Sequence, residues 1–164
     1  MRYVEMDGLR TSVIGLGAWQ FGSREWGYGE TYATETAPAL VRRALELGIT
    51  MLDTAEMYGE GGAEEVVGQA LAEALRAGTV TRDEVFVVSK VYPHNASRAG
   101  TASACERSLR RLRLDQVDLY LLHWPGSHPL RETLQGFEQL RTQGAIAQWG
   151  VSNFDLAAMN KLVA

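Results

Sequence analysis

The chain has 164 residues, a length typical of one domain, and its formal net charge is −4. A negative overall charge provides no general basic field for DNA or RNA, so nucleic-acid binding is disfavoured. A hydrophobic fraction of 46% with 22% charged residues is typical of a soluble globular protein rather than a disordered one.

A β-hairpin is predicted at the start of the chain, where two short runs flank the turn dipeptide Asp7-Gly8. Its strands cover residues 3–5 and 10–12. A strand candidate follows at 13–17, and after it comes a loop rich in glycine and aromatic residues that includes 26–29. The hairpin thus precedes the repeating part of the chain.

A unit of one strand and one helix then repeats. Apolar, β-branched runs predict strands at 13–17, 49–53, 85–89, 117–122 and 146–151. Apolar residues at helical spacing predict helices at 36–47, 63–76, 101–112, 131–143 and from about 155. Because the strands show apolar runs without strict alternation, both faces should be covered, which favours a parallel sheet. The repeat itself fits an open doubly wound sheet and a (β/α)8 barrel equally well.

Four titratable residues fall at or after the ends of three predicted strands. Asp53 ends the second strand and Tyr58 lies five residues later, whereas Lys90 directly follows the third strand and His123 the fourth. Charged groups at the ends of apolar strands are costly unless they are paired. Because successive parallel strands are usually neighbours, we expect the four side chains to meet on one face, the face that carries active sites in barrels.

This set of side chains suits the reduction of a carbonyl, which needs hydride at carbon and a proton or strong hydrogen bond at oxygen. A phenol is a poor acid at neutral pH, but a nearby ammonium stabilises a phenolate and a carboxylate can hold the ammonium in place. Lys90 and Asp53 can take these roles beside Tyr58, and His123 can donate a hydrogen bond to the substrate oxygen. Each residue alone has an ordinary structural explanation; their joint placement favours a functional site.

Ordered motifs along the whole chain resemble those of the aldo-keto reductases. The motifs are Gly15-Leu16-Gly17-Ala18-Trp19, the run from Gly48 to Gly59, Glu64-Glu65-Val66-Val67-Gly68, Val88-Ser89-Lys90, the run from Asp118 to Pro125, and Gly150-Val151-Ser152-Asn153-Phe154. Within the family, the segments Lys90-Val91-Tyr92-Pro93 and Leu121-Leu122-His123-Trp124 resemble bacterial methylglyoxal-reducing members in particular.

The resemblance implies an α/β fold of the (β/α)8 TIM-barrel type. Residues 1–164 would form a single partial barrel domain with about five of the eight βα units, an N-terminal hairpin and no C-terminal units. It also implies an enzyme that transfers hydride from NADPH, with NADH also compatible, to an aldehyde or ketone. The implied catalytic residues are Asp53, Tyr58 (the proton donor), Lys90 and His123; the implied cofactor-binding residues are Gly17, Asp53, Ser152 and Asn153; Trp19 and Trp124 would wall the substrate pocket.

Cysteine and histidine usage argues against other kinds of site. The single cysteine, Cys105, excludes an intrachain disulfide and disfavours a disulfide-stapled secreted domain. The three histidines show no spacing typical of metal ligands, so no metal site is expected. The start of the chain lacks the pattern of a signal peptide, and no apolar run is long enough for a membrane span. A cytoplasmic protein without membrane or nucleic-acid partners is expected.

A barrel of about five units would leave its first and fifth strands with open edges. The chain is therefore expected to be a fragment of a longer protein or a truncated gene product, or else to pair its edges with a second copy or a complementary chain. Two alternatives to the enzyme remain at this point: a catalytically inactive fragment, and a nicotinamide-sensing or regulatory protein on the same scaffold.

Overall fold

The computed structural model of the protein describes residues 1–6, 8–22 and 31–163. Asp7 of the predicted turn and the predicted loop at 26–29 lie outside these residues. The described strands are β1 (Tyr3–Met6), β2 (Leu9–Ser12), β3 (Gly15–Gly17), β4 (Met51–Asp53), β5 (Phe86–Val91), β6 (Val117–Leu122) and β7 (Ile146–Val151). The described α-helices are α1 (Ala37–Glu46), α2 (Gly62–Arg76), α3 (Arg98–Leu112), α4 (Leu130–Thr142) and α5 (Leu156–Val163). A π-helical turn (Tyr32–Thr36) precedes α1, and 3-10 turns lie at Tyr58–Gly61, Arg82–Glu84 and Pro93–Asn95.

The main sheet decides between the two architectures that the sequence left open. Its five strands are parallel and lie in chain order, β3-β4-β5-β6-β7. A doubly wound sheet reverses its strand order part-way across, whereas a barrel adds each strand beside the preceding one. The order is that of the (β/α)8 type, and the antiparallel pair β1-β2 forms the predicted hairpin in front of it.

Hydrogen bonds of Ser12 help to fix the hairpin to the start of β4. Ser12 Oγ accepts hydrogen bonds from the backbone N–H groups of Thr50 (2.9 Å) and Met51 (3.2 Å), and it donates to Ile14 O (2.6 Å). Because Ser12 ends β2, these bonds hold the hairpin against the beginnings of β3 and β4. The carboxyl ends of the strands lie at the other end of the sheet.

Strand β5 is longer than predicted. It continues to Val91 rather than ending at residue 89, so Lys90 lies inside the strand and does not follow it. Lys90 pairs with Leu121 and Val91 with Leu122 of β6, and all of β5 is buried. A charged residue usually ends a buried strand because its desolvation is costly, but Lys90 has bonding partners that remove this cost.

The outer face of β5 is held by a buried ion pair. Glu64 of α2 has no exposed surface, accepts a hydrogen bond from Ser89 Oγ (2.6 Å) and pairs with Arg111 of α3 (2.7 Å from Nε). Because Ser89 precedes Lys90 and side chains alternate along a strand, Ser89 faces the helices while Lys90 faces the barrel interior. The pair thus joins α2, α3 and β5 behind Lys90.

None of the helices in the described ranges combines the length and apolar character needed to cross a membrane.

We predict that Arg111→Ala lowers the free energy of unfolding by about 3–5 kcal/mol, because it leaves the Glu64 carboxylate buried and without its counter-ion. Arg43→Ala is the matched control: it removes an ion pair with Glu46 whose side chains are 64% and 51% exposed, and it should cost at most about 1 kcal/mol. Denaturant unfolding of both variants measures the difference. Equal losses in the two variants would contradict the assigned role of the buried pair.

Candidate active site

Lys90 and Asp53 form the centre of the predicted site. In the register of the sheet, Asp53 of β4 lies beside Val88 of β5. Lys90 is two residues beyond Val88, so its side chain is on the same face as that of Asp53. Lys90 Nζ lies 2.8 Å from Asp53 Oδ1 and 2.9 Å from Oδ2. The strand register therefore produces the ion pair that the sequence predicted.

The ammonium group of Lys90 has a partner for each of its three protons. Besides Asp53, it donates to the backbone carbonyl of Thr54 (2.9 Å) and to the hydroxyl oxygen of Tyr58 (3.3 Å). The Lys90 side chain is only 7% exposed, so these bonds replace the water that it loses. Because the Tyr58 oxygen accepts from Lys90, its own O–H remains available to another acceptor.

Tyr58 reaches the site through a tight reversal of the chain. Its backbone N–H donates to Ala55 O (3.1 Å), and the following residues Gly59 and Glu60 have φ values of 56° and 55°. Gly59 adopts this left-handed conformation easily, whereas Glu60 is a residue for which it is uncommon. The reversal leads from Tyr58 into α2 within a few residues and places the phenol over the ammonium, with Nζ 5.0 Å from the ring centroid.

His123 lies directly after β6, and its backbone N–H continues the sheet by donating to Val91 O (3.1 Å). The residue is 7% exposed, and its ring centroid is 5.5 Å from that of Tyr58 in an edge-on arrangement. The structure therefore brings Asp53, Tyr58, Lys90 and His123 together at the carboxyl end of three adjacent strands.

Burial, and to a smaller extent the Lys90 ammonium, lower the pKa of His123 to about 4, although the Asp53 and Glu56 carboxylates act in the opposite direction. The imidazole is thus neutral at pH 7. Its Nδ1 is buried and has no hydrogen-bond partner within the part of the chain that the structure describes. An unpaired buried N–H is costlier than an unpaired lone pair, so the tautomer with the proton on Nε2 is favoured.

Ser152 and Asn153 extend the same end of the sheet after β7. Ser152 N–H donates to Leu122 O (2.9 Å), and Asn153 Nδ2 donates to His123 O (2.9 Å) and to Ser152 Oγ (3.2 Å). Asn153 has a φ of 57°, a conformation that asparagine tolerates better than most residues. The two side chains therefore lie beside His123.

Gly17 ends β3 and pairs with Asp53 in the sheet. Apart from its chain neighbours, no atom of the described residues lies within 4 Å of the position that a Cβ would occupy there. As far as the described residues are concerned, the β3 side of Asp53 is therefore unobstructed at this position.

The predicted aromatic walls differ in their surroundings. Trp124 packs against the rings of His123 (4.6 Å between centroids) and Tyr92 (5.1 Å), and Tyr92 packs in turn against His94 (4.1 Å). Trp19, in the loop after β3, is 51% exposed. Tyr92 was not among the predicted site residues, although its position two residues after Lys90 gave a usable signal.

Within the described ranges, no group of three or more His, Cys, Asp or Glu side chains is arranged to hold a metal ion. A cleft of about 770 Å³ lies at the amino ends of the strands, lined by residues that include Arg10, Arg82 and Asp118. It contains none of the predicted site residues, and Arg82 and Asp118 are already paired with each other at 2.8 Å. The predicted site residues lie at the opposite end of the sheet, where the carboxyl ends of the strands are.

Comparison with known proteins agrees with this geometry. The sequence profile of the Aldo/keto reductase family matches residues 13–164. The chain is similar to the methylglyoxal reductase YeaE of Escherichia coli, with 48% identity over 150 residues, 92% of this chain and 48% of that protein.

Among solved structures, aldo-keto reductases are likewise similar to this chain. An aldo/keto reductase from Klebsiella pneumoniae in complex with NADP and acetate is 45% identical, with a TM-score of 0.80 over 94% of this chain and 50% of that one. An aldo-keto reductase from Bombyx mori in complex with NADP is 31% identical, with a TM-score of 0.85 over 99% and 53% of the two chains. The chain spans about half the length of the curated relatives it matches.

We predict that the imidazole of His123 stays neutral as the pH falls from 8 to about 5, since its pKa is about 4 in the folded protein. Because the unfolded chain protonates this group near pH 6.5, His123 makes stability decrease as the pH falls from about 6.5 to about 4. A titration of the His123 ring by NMR tests the first statement. His123→Gln should flatten the pH dependence of unfolding in that window, and an inflection of the ring signal near pH 6.5 would refute both.

Proposed function

The chain belongs to the aldo/keto reductase family, and we propose that the protein is an oxidoreductase that transfers hydride from NADPH to an aldehyde or ketone. Tyr58 is the proton donor in this proposal. The observation that carries it is the bonding of one buried ammonium, that of Lys90, to both the Asp53 carboxylate and the Tyr58 hydroxyl. NADPH rather than NADH is proposed as the cofactor because similar proteins of known structure are complexes with NADPH or NADP.

The residues around the site fit a nicotinamide cofactor. Ser152 and Asn153 offer a hydroxyl and an amide, which suit a carboxamide group, and they lie next to His123. The open space beside Gly17 and the 37% exposed side chain of Asp53 suit a ribose with its hydroxyl groups. When bound, the cofactor supplies the hydride.

The protein's own residues would act on the carbonyl oxygen. His123, neutral and with its proton on Nε2, would donate a hydrogen bond that orients and polarises the carbonyl. Tyr58 would then donate its proton as negative charge develops on that oxygen. Lys90 stabilises the resulting phenolate, since its ammonium already donates to the Tyr58 oxygen, and Asp53 keeps the ammonium in place.

A small carbonyl compound is the proposed substrate class. The relative from Escherichia coli is named for the reduction of methylglyoxal, and Trp124 with Tyr92 forms an aromatic wall beside His123. Flat aromatic surfaces pack well against small planar carbonyls. Methylglyoxal is therefore the first substrate to test.

A cytoplasmic location is proposed from the single, buried cysteine.

We predict that Tyr58→Phe reduces NADPH-dependent turnover of methylglyoxal by at least about 100-fold in the full-length protein, since it removes the acid but keeps the ring. NADPH binding, followed by cofactor fluorescence, should remain within a few-fold of that of the unchanged protein. Tyr32→Phe serves as a control for loss of a tyrosine hydroxyl elsewhere. Unchanged turnover in Tyr58→Phe would refute the assignment, and binding without any turnover in the unchanged protein would favour a nicotinamide sensor.

Residues 1–164 are further proposed to belong to one barrel domain whose remaining strands would pair with β3 and β7. Among the described residues, β3 is hydrogen-bonded only to β4 and β7 only to β6 within the sheet. Apolar side chains near these edges are exposed, Ile14 at 55% and both Leu156 and Val163 at 77%. Unpaired edges and exposed apolar surface favour association with another chain.

We predict that the isolated 164-residue chain self-associates, because pairing the open edges buries both the backbone groups and the apolar side chains. Size-exclusion chromatography with light scattering should give a mass above 18.0 kDa that increases with concentration. Leu156→Lys together with Val163→Lys should reduce the association, and Leu40→Lys, on α1, is the control. A monomer at all concentrations would contradict the proposal for the edges but would leave the assignment of Tyr58 unaffected.

A further inference from the structure

Glu56 is a buried carboxylate that lies beside the site and is not one of the four proposed catalytic residues. Its side chain is only 7% exposed. Oε1 accepts hydrogen bonds from the backbone N–H of Tyr92 (2.6 Å) and from Asn95 Nδ2 (3.1 Å), and Oε2 lies 3.4 Å from Arg107 Nη2. These donors come from the loop after β5 and from α3, so one side chain joins two parts of the chain that are more than thirty residues apart.

The position of Glu56 in the chain connects it to the proton donor. It lies between Thr54, whose carbonyl accepts from Lys90, and Tyr58, whose hydroxyl does the same. The Glu56 backbone N–H also donates to Lys90 O (3.3 Å). The loop from β4 to Tyr58 is thus bonded to β5 near its start by Lys90 and in its middle by Glu56. The Glu56 side chain thus reinforces a placement of the phenol that also depends on the Lys90–Tyr58 contact of 3.3 Å, the bond from Tyr58 N–H to Ala55 O and the edge-on contact with the His123 ring.

The same carboxylate also fixes the aromatic wall. The Tyr92 N–H that it binds belongs to the residue whose ring packs against Trp124 and His94. A shift of the Tyr92 backbone would move this ring and change the surface next to His123. Glu56 therefore holds the proton-donor loop and the aromatic wall to one another.

Hydrogen bonding rather than charge pairing accounts for most of this attachment. The contact with the Tyr92 N–H is short, whereas Arg107 is 39% exposed and its contact is long. A carboxylate hydrogen-bonded to a backbone N–H makes a strong, directional bond. An exposed, loosely placed guanidinium contributes much less.

We propose that Glu56 is a positioning residue that sets the distance between the Tyr58 hydroxyl, the Lys90 ammonium and the aromatic wall of Tyr92 and Trp124. The inference rests on the proposed function in assuming that Tyr58 donates the proton. Small errors in the placement of a reacting group cost large factors in rate, on the order of 100-fold for about 1 Å.

The test compares four variants of the full-length protein. Glu56→Ala removes all the hydrogen bonds of the carboxylate; Glu56→Gln keeps an oxygen that can accept from Tyr92 N–H; Arg107→Ala removes only the long ion pair. Glu138→Ala, on the exposed side of α4, removes a carboxylate that binds Arg141 and Trp149 far from the site. Turnover of methylglyoxal is measured with NADPH and with NADPH deuterated at the transferred position, per site that binds NADPH.

We expect kcat per cofactor-binding site to fall by about 100-fold in Glu56→Ala, with little change in KM for NADPH and a larger deuterium isotope effect, because the chemical step becomes slower. Glu56→Gln should recover most of this loss, and Arg107→Ala should stay within a few-fold. A protein that merely folded less well would lose binding sites without any change in kcat per site or in the isotope effect. That outcome would overturn the inference.

A second measurement does not depend on activity. Amide hydrogen exchange should accelerate in Glu56→Ala in peptides covering 54–58 and 92–95, and not in Glu138→Ala. Unchanged exchange in either segment would overturn the inference, as would faster exchange with undiminished kcat. If the unchanged protein has no turnover at all, the proposed function fails, and exchange alone then decides whether Glu56 joins the two segments.

Discussion

The arrangement of this end of the sheet depends on one constraint: a buried ammonium needs a partner for every proton. Lys90 lies within a strand that is buried along its whole length, where an unpaired charge would be prohibitively costly. Its three acceptors are the Asp53 carboxylate, the Thr54 carbonyl and the Tyr58 hydroxyl. Satisfying Lys90 therefore constrains the course of the loop after β4 and the position of the phenol. In the proposed mechanism, the bonds that stabilise the site also set the geometry for proton transfer.

Strand β5 is held from both sides by buried ionic groups, and this gives Lys90 a rigid base. On the inner face, Lys90 pairs with Asp53 of the neighbouring strand. On the outer face, Ser89 donates to Glu64, which pairs with Arg111 of α3. A barrel in which strands follow in chain order makes this possible, because each strand has its own helix behind it and its predecessor beside it. Groups held by both layers keep their positions more closely than groups on loops.

Much of the fold was predictable because its strands are apolar runs of a length that admits few alternatives. The bounds of β6 and β7 were predicted to the residue, and the hairpin and the helices followed from turn residues and helical spacing. The strand order, which excludes the doubly wound sheet, was not predictable, because both architectures have the same strand–helix repeat. Lys90 was wrongly expected to follow β5. The expectation rested on the cost of burying a charge, but bonds to Asp53 and Thr54 offset that cost within the strand, and the sequence pattern does not show these bonds. Glu56 was missed because its bonds to Tyr92, Asn95 and Arg107 join segments that are distant in the sequence, and such contacts leave no periodic pattern.

For the proposed reaction, the protonation states of the site favour Tyr58 over Lys90 and His123 as the proton donor. The Lys90 ammonium already donates its protons to Asp53, Thr54 and Tyr58, and loss of one would leave Asp53 without a counter-ion. His123 is neutral because burial and the ammonium disfavour its charged form, and a neutral imidazole gives up its remaining proton only at very high pH. A neutral imidazole can donate a hydrogen bond to a carbonyl, but it is a much weaker acid than a phenol. Tyr58 combines an O–H that is free to donate with a neighbouring cation that stabilises the phenolate left behind. Asp53 holds that cation beside the phenol, so in the proposed mechanism this carboxylate contributes to catalysis without transferring a proton.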